Sequence, residues 1–545
     1  MWRTSDNSIE AQCAKQSQYH TSLRRQRREE MMNKRRKIDE TTPIEMTLNI
    51  QNFQQEMNNN QMNQINQINQ INQFQMNDEN QPIYQLFKQI GFDNQLISQF
   101  CQCISSSNPQ IVESVTGIIR TMLNFLYKKN SDKFESAFFD VLIGNGTIRK
   151  LVELLSNEIS EKALRDTLFI LINVSNSESR HCSALINYNI HNQLIKYLSI
   201  PQYVDDTLWI YSNLTADCEK IRDVIFNTIG PMFFQIVEKA RNLQSFSTIQ
   251  KLTHLCSNFF RFNLNYPETI IEPLLNFLVE QTQSEDFEIL SSVFNAFCSI
   301  SETNELGLKY MHLMYPTLKK YLNSPNDEIC MKSVLCFGEL AGKQDNVIVF
   351  FVQQGLLVDF NRLIEHRDFN VIKAVCWALS NFSCCQLANV ADMIIDAGIL
   401  ENVCFEAMTT IYEPMKFEAS WLIVNTLSYV SDNKLGVIFK LEKFFELLSE
   451  MLVMNITPRT EYLKYLLSVI RRLLMFGEDI MTEEDDVNKV ADGLFEYDSV
   501  VLIDRLSLPD FAPSEEIMNS AESIMKNFFA TFGEDDDEDF YMNEY

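Results

Sequence analysis

The sequence predicts an all-α fold, a right-handed solenoid of repeats with a period of about 42 residues. Three observations support this fold class. The chain of 545 residues is 46% hydrophobic, which is more than a single globular core usually holds. A Trp-x-x-x-Asn pair recurs at Trp209/Asn213, Trp377/Asn381 and Trp421/Asn425. The Trp position and its weaker copies recur at 169, 209, 254, 294, 335, 377 and 421, at intervals of 40 to 45 residues.

The stretch "AVCWALSNFSC", residues 374–384, shows how one such helix is organised. Trp377 and Asn381 are four residues apart and therefore share one helical face. Val375, Leu379 and Phe382 form a second, apolar strip with the spacing of a core-facing stripe. The helix is thus predicted to have a packing face and a separate amphipathic face. A period near 42 in such helical sequence is typical of armadillo or HEAT repeats.

The chain opens with a basic arm, residues 1–40, which holds ten Lys/Arg and six Asp/Glu. Within it, residues 22–40 could form a basic amphipathic helix, and a nuclear localisation signal or a nucleic-acid arm remains the alternative. Residues 41–81 form a Gln/Asn-rich linker with the run "INQINQINQ", and we expect both segments to be disordered. The linker's root-mean-square reach is roughly 35 Å.

The predicted repeats occupy residues 82–477, with glycine and proline largely at helix junctions. Each repeat is expected to contain a short helix, a longer one ending near "LVELL" or "LIKYL", and the Trp/Asn helix of the next unit. Residues 478–530 form a less regular helical cap. Residues 531–545 hold the acidic end "GEDDDEDFYMNEY", a tail expected to be disordered.

Charge separates the arm from the rest of the chain. The arm carries a net charge of +4 and residues 41–545 a net charge of −31. An acidic body repels nucleic-acid phosphates and attracts basic peptides, so no direct nucleic-acid partner is expected. The alternative is that the acidic residues only keep a long repeat protein soluble.

The sequence lacks the usual signatures of catalysis. It has no Gly-rich phosphate loop, HExxH, Cys-x-x-Cys or Gly-x-Ser-x-Gly motif, so we predict no enzyme, no cofactor and no metal site. Thirteen cysteines without paired spacing and no apolar run of membrane length indicate a reduced intracellular protein without membrane insertion. His254 is interpreted as a degenerate Trp position.

The Trp/Asn strips predict a groove that binds an extended basic peptide. Stacked repeats align such strips into a ladder, where exposed Asn amides would hold a peptide backbone. Trp rings would form slots for the stem and charged head of Lys or Arg. Acidic side chains at the slot ends would select cations, and those suitably spaced are Asp205, Asp206, Asp217 and Glu418.

These motifs resemble importin-α, the armadillo-repeat adaptor family that reads nuclear localisation signals. "CWALSNFS", "LWIYSNLTAD" and "SWLIVNTLS" are similar to its repeat helices, and "RRQRREEMMNKRRKIDE" to its importin-β-binding segment. The likeness covers the whole plan of basic arm, linker, repeat array and acidic tail. It implies a protein that shuttles between cytoplasm and nucleus, with basic cargo, importin-β and an export receptor with a Ran-type GTPase as partners.

The resemblance also implies which residues bind. The implied major cargo site comprises Trp209, Asn173, Asn213, Asn258, Asp217, Asp205 and Asp206. The implied minor cargo site comprises Trp377, Asn381, Trp421, Asn425 and Glu418. The implied importin-β contacts are Arg24, Arg25, Arg27, Arg28, Lys34, Arg35, Arg36 and Lys37.

The chain departs from the family pattern at several positions. Phe169 and His254 replace Trp in the major site, which predicts shallower slots there and a relatively strong minor site. Glu339 stands at an Asn position, and "TTPIE" replaces the arm's second basic cluster, which competes for the groove in the family. Two alternatives remain: a β-catenin-type scaffold for acidic or phosphorylated partners, and a divergent paralogue without importin-β binding.

Overall fold

The structure is a computed structural model that describes residues 103–529 except 107, 129–131, 263–265, 303, 386, 440, 442, 455–458 and 482–486. The predicted arm, linker and acidic tail lie outside the described residues, and so do all eight arm residues expected to contact importin-β. The chain divides into two compact units, residues 1–296 and 297–545, which we call unit 1 and unit 2. No strand occurs in the described part of either unit.

Unit 1 contains a succession of short and medium helices. They are α1 Pro109–Lys128, α2 Asp132–Gly144, α3 Thr147–Leu154, α4 Glu161–Ser175, α5 Ser179–Asn187, α6 Ile190–Gln193, α7 Val204–Thr215, α8 Glu219–Ile229, α9 Phe233–Asn242, α10 Phe246–Phe259, α11 Glu268–Gln281 and α12 Phe287–Glu302, whose last residues belong to unit 2. Short 3₁₀ segments occur at Ile195–Ser199 and Gly230–Met232.

Unit 2 continues the same pattern. Its helices are α13 Asn304–Tyr321, α14 Asp327–Ala341, α15 Asp345–Gln353, α16 Leu356–Ile364, α17 Phe369–Ser383, α18 Val390–Asp396, α19 Ile399–Asn402, α20 Glu413–Tyr429, α21 Asp432–Ile438, α22 Phe444–Val453, α23 Arg459–Asp479, α24 Lys489–Glu496, α25 Ser499–Leu506 and α26 Glu515–Phe528. A π-helical turn at Val403–Ala407 follows α19.

The seven predicted Trp/Asn helices are all present, at α4, α7, α10, α12, α14, α17 and α20. Together with α1, which carries Arg120 and Asn124 at the same spacing, we call them the ladder helices. Sequence cues define their ends, as in α4, where the Ser160 hydroxyl accepts a hydrogen bond from the Ala163 N–H. In α17 the apolar strip Val375, Leu379 and Phe382 is fully buried. The prediction of an all-α repeat fold with this core face is confirmed.

Turns at glycine separate the helices within a repeat. Gly355 has a φ of 77°, a left-handed conformation that favours glycine, and it joins α15 to α16 at a bend of 81°. The apolar run around it is therefore split between two repeat helices. Among the described residues, no single helix is long and apolar enough to cross a membrane, and α15 and α16 meet that test only as a bent pair.

The predicted order of a short helix and then a longer one is wrong in both named segments. "LVELL" ends α3, which has 8 residues and follows the 13 residues of α2. The "LIKYL" segment was expected to end a longer helix, but it forms only the short α6 and a 3₁₀ segment, Ile195–Ser199. Asn189 begins this segment with a φ of 64°, which breaks the preceding helix. The Tyr197 hydroxyl then donates to the Leu155 carbonyl at 2.9 Å, so the tighter turn is held against the previous repeat.

Candidate functional site

The ladder asparagines of unit 1 join neighbouring ladder helices. The Asn213 Nδ2 donates to the Ile172 carbonyl and to the Ser175 hydroxyl of α4, both at 3.2 Å. The Asn258 Nδ2 donates to both the carbonyl and the hydroxyl of Ser212 on α7, at 2.9 Å each. In both cases the amide reaches the residue that precedes the Asn position of the previous repeat.

Unit 2 uses the same arrangement. The Asn381 Nδ2 donates to the Gly338 carbonyl of α14 at 3.0 Å, and the Asn425 Nδ2 donates to the Ser380 hydroxyl of α17 at 2.7 Å. Asn173 differs, because its Nδ2 donates to the Phe169 carbonyl of its own helix at 2.9 Å. The ladder asparagines therefore use their N–H groups inside the protein.

The expectation of exposed amides is wrong for four of these five residues. Asn173, Asn213, Asn258 and Asn425 are at most 5% exposed, and Asn381 alone is half-buried. Asn213, Asn258 and Asn425 are buried because their amides reach the previous ladder helix across the seam between two repeats, whereas the buried amide of Asn173 bonds its own helix. The Oδ1 atoms of Asn173 and Asn213 are buried there and have no hydrogen-bond partner among the described residues. Cargo binding by these asparagines stays a prediction.

Trp209 forms a cation site in unit 1. Its side chain is half-buried, and the Lys251 ammonium of the next ladder helix, α10, lies 4.0 Å from the centre of the indole ring. At this distance the ring quadrupole attracts the positive charge. The structure thus places a lysine against the Trp predicted to bind one, but this lysine belongs to the chain itself.

The acidic residues near Trp209 differ in how far they are engaged. Asp205 accepts hydrogen bonds from the hydroxyls of Ser247 at 2.6 Å and Thr248 at 2.7 Å, so both its oxygens contact α10. Asp206 is half-buried. Asp217 is buried and accepts a hydrogen bond from the Ser179 hydroxyl at 2.7 Å. Asp205 therefore links α7 to α10, and Asp217 links the end of α7 to α5, in addition to carrying charge.

In unit 2, Trp377 is buried instead of lining an open slot. Its side chain is only 4% exposed and lies against Gly338 of α14. A Cβ atom added to Gly338 would come within 2.2 Å of the six-membered ring of Trp377. The absence of a side chain at residue 338 therefore lets the ring lie in the seam between the two helices.

Trp421, the second Trp of the implied minor site, is half-buried within an aromatic cluster. Its ring lies 6.4 Å from Phe417 on the same helix, and 5.3 Å from Tyr462 and 5.8 Å from Tyr465 on α23, measured between ring centres. All three contacts are edge-to-face, an arrangement that stabilises aromatic pairs. The cluster leaves part of the indole exposed.

Glu418 lies inside the protein, which contradicts its expected place at the open end of a slot. It is 4% exposed, and burial raises its pKa to about 8, while Lys373 of α17 partly opposes that rise. Its charge in turn adds to the effect of burial, which raises the pKa of the Cys376 thiol. At neutral pH much of the Glu418 population is therefore protonated, and it offers less negative charge than its sequence suggests.

Sequence reasoning missed two cations that belong to this site. Lys251 stands three residues before His254, at the position occupied by Asp206 and Glu418 before their own Trp residues. Arg120 stacks on Phe169, with its guanidinium 4.9 Å from the ring centre, and pairs with the buried Asp166 at 2.6 Å.

Signals for both cations were present in the sequence. Arg120 precedes Asn124 by four residues, which marks it as the Trp position of an earlier repeat. Aligning the residues three before each predicted ladder position identifies Lys251 and Lys332 as basic, beside Asp166, Asp206 and Glu418 as acidic. For Asp166, burial raises the pKa of the carboxyl and Arg120 opposes that rise.

No protein-family model matches the chain. The chain is similar to "Importin subunit alpha-8" of Arabidopsis thaliana, at 24% identity over 63% of this chain and 76% of that protein. It is also similar to "Importin subunit alpha-5" of A. thaliana, at 21% identity over 42% of this chain, and to "Importin subunit alpha-1b" of Oryza sativa subsp. japonica, at 21% over 49%. These last two matches span 43% and 51% of the relatives' own lengths.

Among solved structures, the fold is similar to a crystal structure of an engineered protein, with a TM-score of 0.60 and 16% identity. That match covers 79% of this chain and 98% of the engineered one. A computationally designed armadillo repeat protein for modular peptide recognition gives a TM-score of 0.38 at 18% identity, over 43% of this chain and 99% of its own. These three sequence relatives are all importin-α subunits.

Proposed function

We propose that this chain, an armadillo-repeat protein with importin-α subunits as sequence relatives, is a non-enzymatic adaptor for nuclear import. Its ladder helices would bind Lys/Arg-rich nuclear localisation signals of cargo proteins. Its basic arm would bind importin-β, and the protein would shuttle between cytoplasm and nucleus. Release would involve an export receptor and a Ran-type GTPase.

The observation that carries this proposal is the Trp209 slot. The indole face lies against a lysine ammonium at 4.0 Å, so the slot has the shape and electrostatics to accept one. Asp206 lies on the same helix, within a body whose net charge of −31 attracts basic peptides. A cargo lysine would take the position that Lys251 holds in the free protein.

The ladder asparagines contribute to this function by spacing the slots. Because the amides of Asn213 and Asn258 bind the preceding helix, they set the distance between successive ladder helices. A peptide with basic residues at a matching interval would then meet the slots in register. The half-buried Asn381 is the ladder amide with the best access to a peptide backbone.

Unit 2 would supply the minor site through Trp421. Its indole is partly exposed, whereas Trp377 is covered and serves packing in the free protein. The predicted strength of the minor site rested on two intact Trp/Asn pairs. With Trp377 buried, we propose that Trp421 and Asn381 make the main contacts there.

The test is a fluorescence anisotropy titration of the full chain with a labelled Lys-Arg-Lys-Arg-type peptide at low salt. We expect Trp209→Ala to weaken binding about fivefold, since a cation–π contact contributes roughly 1 kcal/mol. The matched control is Phe234→Ala, which removes a 42% exposed aromatic from α9, outside the ladder helices. Wild-type affinity should fall as salt rises, because exposed charge pairs are screened.

The same titration separates the proposal from its rivals. Tighter binding of an acidic or phosphorylated peptide than of the basic one would indicate a β-catenin-type scaffold instead. A chain lacking residues 1–40 should keep peptide binding and lose importin-β in a pull-down. If importin-β fails to bind the full chain while the basic peptide binds, the protein is a divergent armadillo binder without import activity.

A further inference from the structure

Lys251 occupies the place of a ligand. Its ammonium lies 4.0 Å from the centre of the Trp209 indole, and the two residues belong to successive ladder helices, α10 and α7. Its side chain is half-buried, so the aliphatic stem packs along the protein while the charged head covers the ring. A basic peptide side chain cannot contact the same ring face until Lys251 moves away.

The same type of contact occurs at two ladder positions of unit 1. Arg120, at the Trp position of α1, pairs with Asp166, which lies three residues before Phe169 on the next ladder helix. Trp209 on α7 contacts Lys251, which lies three residues before His254 on α10, the next ladder helix. Arg120 and Trp209 thus contact the equivalent residue of the next ladder helix, three before its ladder position.

This position therefore decides what a slot presents to a ligand. Asp166, Asp206 and Glu418 supply a carboxyl group there, Ser291 and Ala374 supply no charge, and Lys251 and Lys332 supply an ammonium. Beside Trp209, an ammonium group therefore stands where some other repeats have a carboxyl group. The same ammonium also covers the face of the ring. Both effects oppose the entry of a cation.

We propose that Lys251 is an internal competitor that sets the affinity and selectivity of the Trp209 slot. This inference rests on the proposed function, because it assumes that basic peptides bind the ladder of unit 1. Weakly basic peptides fail to displace Lys251, and peptides with several basic residues succeed. Lys251 thereby raises the charge that a cargo signal needs for binding in unit 1.

The test is a peptide titration with Lys251→Ala and Lys251→Glu in the full chain. We expect Lys251→Ala to tighten binding of the Lys-Arg-Lys-Arg-type peptide about threefold to fivefold, and Lys251→Glu by about tenfold. The matched controls are Lys220→Ala and Lys220→Glu, which make the same charge changes at an exposed position of α8 in the same unit. The gain should be larger for peptides with fewer basic residues.

A double variant tests whether the gain in affinity depends on the Trp209 ring. In Trp209→Ala/Lys251→Ala the gain should vanish, because the freed ring face is gone. If the gain persists there, or if Lys251→Ala matches Lys220→Ala, Lys251 acts only through overall charge and the inference is overturned. If neither the wild-type chain nor any variant binds the basic peptide, the proposed function itself fails and the inference falls with it.

Circular dichroism of each variant confirms that it is folded. Should Lys251→Ala unfold, Lys251→Glu carries the same comparison, because a glutamate keeps helix propensity and an aliphatic stem at this position.

Discussion

Trp209 of unit 1 and Trp377 of unit 2 occupy the same position of the same motif and have different environments. Trp209 is half-buried and contacts a lysine ammonium, whereas Trp377 is 4% exposed and contacts Gly338. One is available to a ligand once Lys251 moves, and the other stabilises the packing of two helices. A shared motif therefore does not imply a shared role.

The cause of the difference lies in the previous repeat. The carbonyl that accepts the Asn amide belongs to Ile172 in the repeat before Trp209 and to Gly338 in the repeat before Trp377. Gly338 has no side chain and leaves room for the Trp377 indole, whereas Ile172 carries a branched side chain at the equivalent position. The identity of one residue about 40 positions upstream thus decides whether the Trp ring lies inside the seam or at its surface.

Removing the Trp377 ring should reduce the stability of the protein much more than removing the Trp209 ring. Trp377→Ala should lower the free energy of unfolding by about 3–5 kcal/mol, because it removes a buried indole and leaves a cavity. Trp209→Ala should cost about 1 kcal/mol, since the ring is only half-buried. Urea denaturation together with amide hydrogen exchange in α17 measures both. Equal costs would mean that the two rings are buried alike.

Glu418 should make the stability of the folded protein depend on pH. Its pKa is raised to about 8 in the folded protein, above the usual glutamate pKa of 4.5, so the unfolded chain ionises first. The stability of the wild-type chain should therefore fall as the pH rises from 4.5 to 8. Glu418→Gln removes this loss and should stabilise unit 2 by on the order of 3 kcal/mol at pH 8.

The measurement is the melting temperature of wild type and Glu418→Gln at pH 5.5 and pH 8. The difference should grow with pH, and pH 5.5 keeps the chain above its pI of about 4.7, where solubility is lowest. If the difference in melting temperature between the two proteins is the same at both pH values, Glu418 is already ionised in the folded protein.

Gly338→Ala tests whether the absence of a side chain at residue 338 keeps the Trp377 ring buried. The added Cβ would come within 2.2 Å of the Trp377 ring, so the indole must shift, at a cost of about 2 kcal/mol. Acrylamide quenching should increase as Trp377 becomes more exposed. Gly436→Ala is the control, because open space surrounds that glycine within a helix of the same unit.

The fold could be predicted from the sequence because its signal repeats. The spacing of Trp209, Trp377 and Trp421 predicts the repeat period, and the strip of Val375, Leu379 and Phe382 identifies the core face of one helix. Both signals are local and reinforce one another along the chain. The short 3₁₀ segment at Ile195–Ser199 was missed because it depends on a contact with the previous repeat.

The site was predicted only in part, for a related reason. Helical periodicity tells which residues share a face, but not what the neighbouring helix presents to that face. The burial of Asn213 and Trp377 depends on Ile172 and Gly338, and neither belongs to the Trp/Asn motif. Lys251 could not be predicted as a partner of Trp209 because the Trp/Asn motif of α7 carries no information on the residue that α10 places against the ring.

The contact between Gly338 and Trp377 has an evolutionary consequence. Every glycine codon becomes an alanine codon through one base change, so a single nucleotide separates a seam that accepts the indole from one that rejects it. Such a change touches no residue predicted to meet a ligand. A lineage could therefore gain or lose a second accessible ring while its recognition motif stays intact, and comparison of motifs alone would not detect the difference.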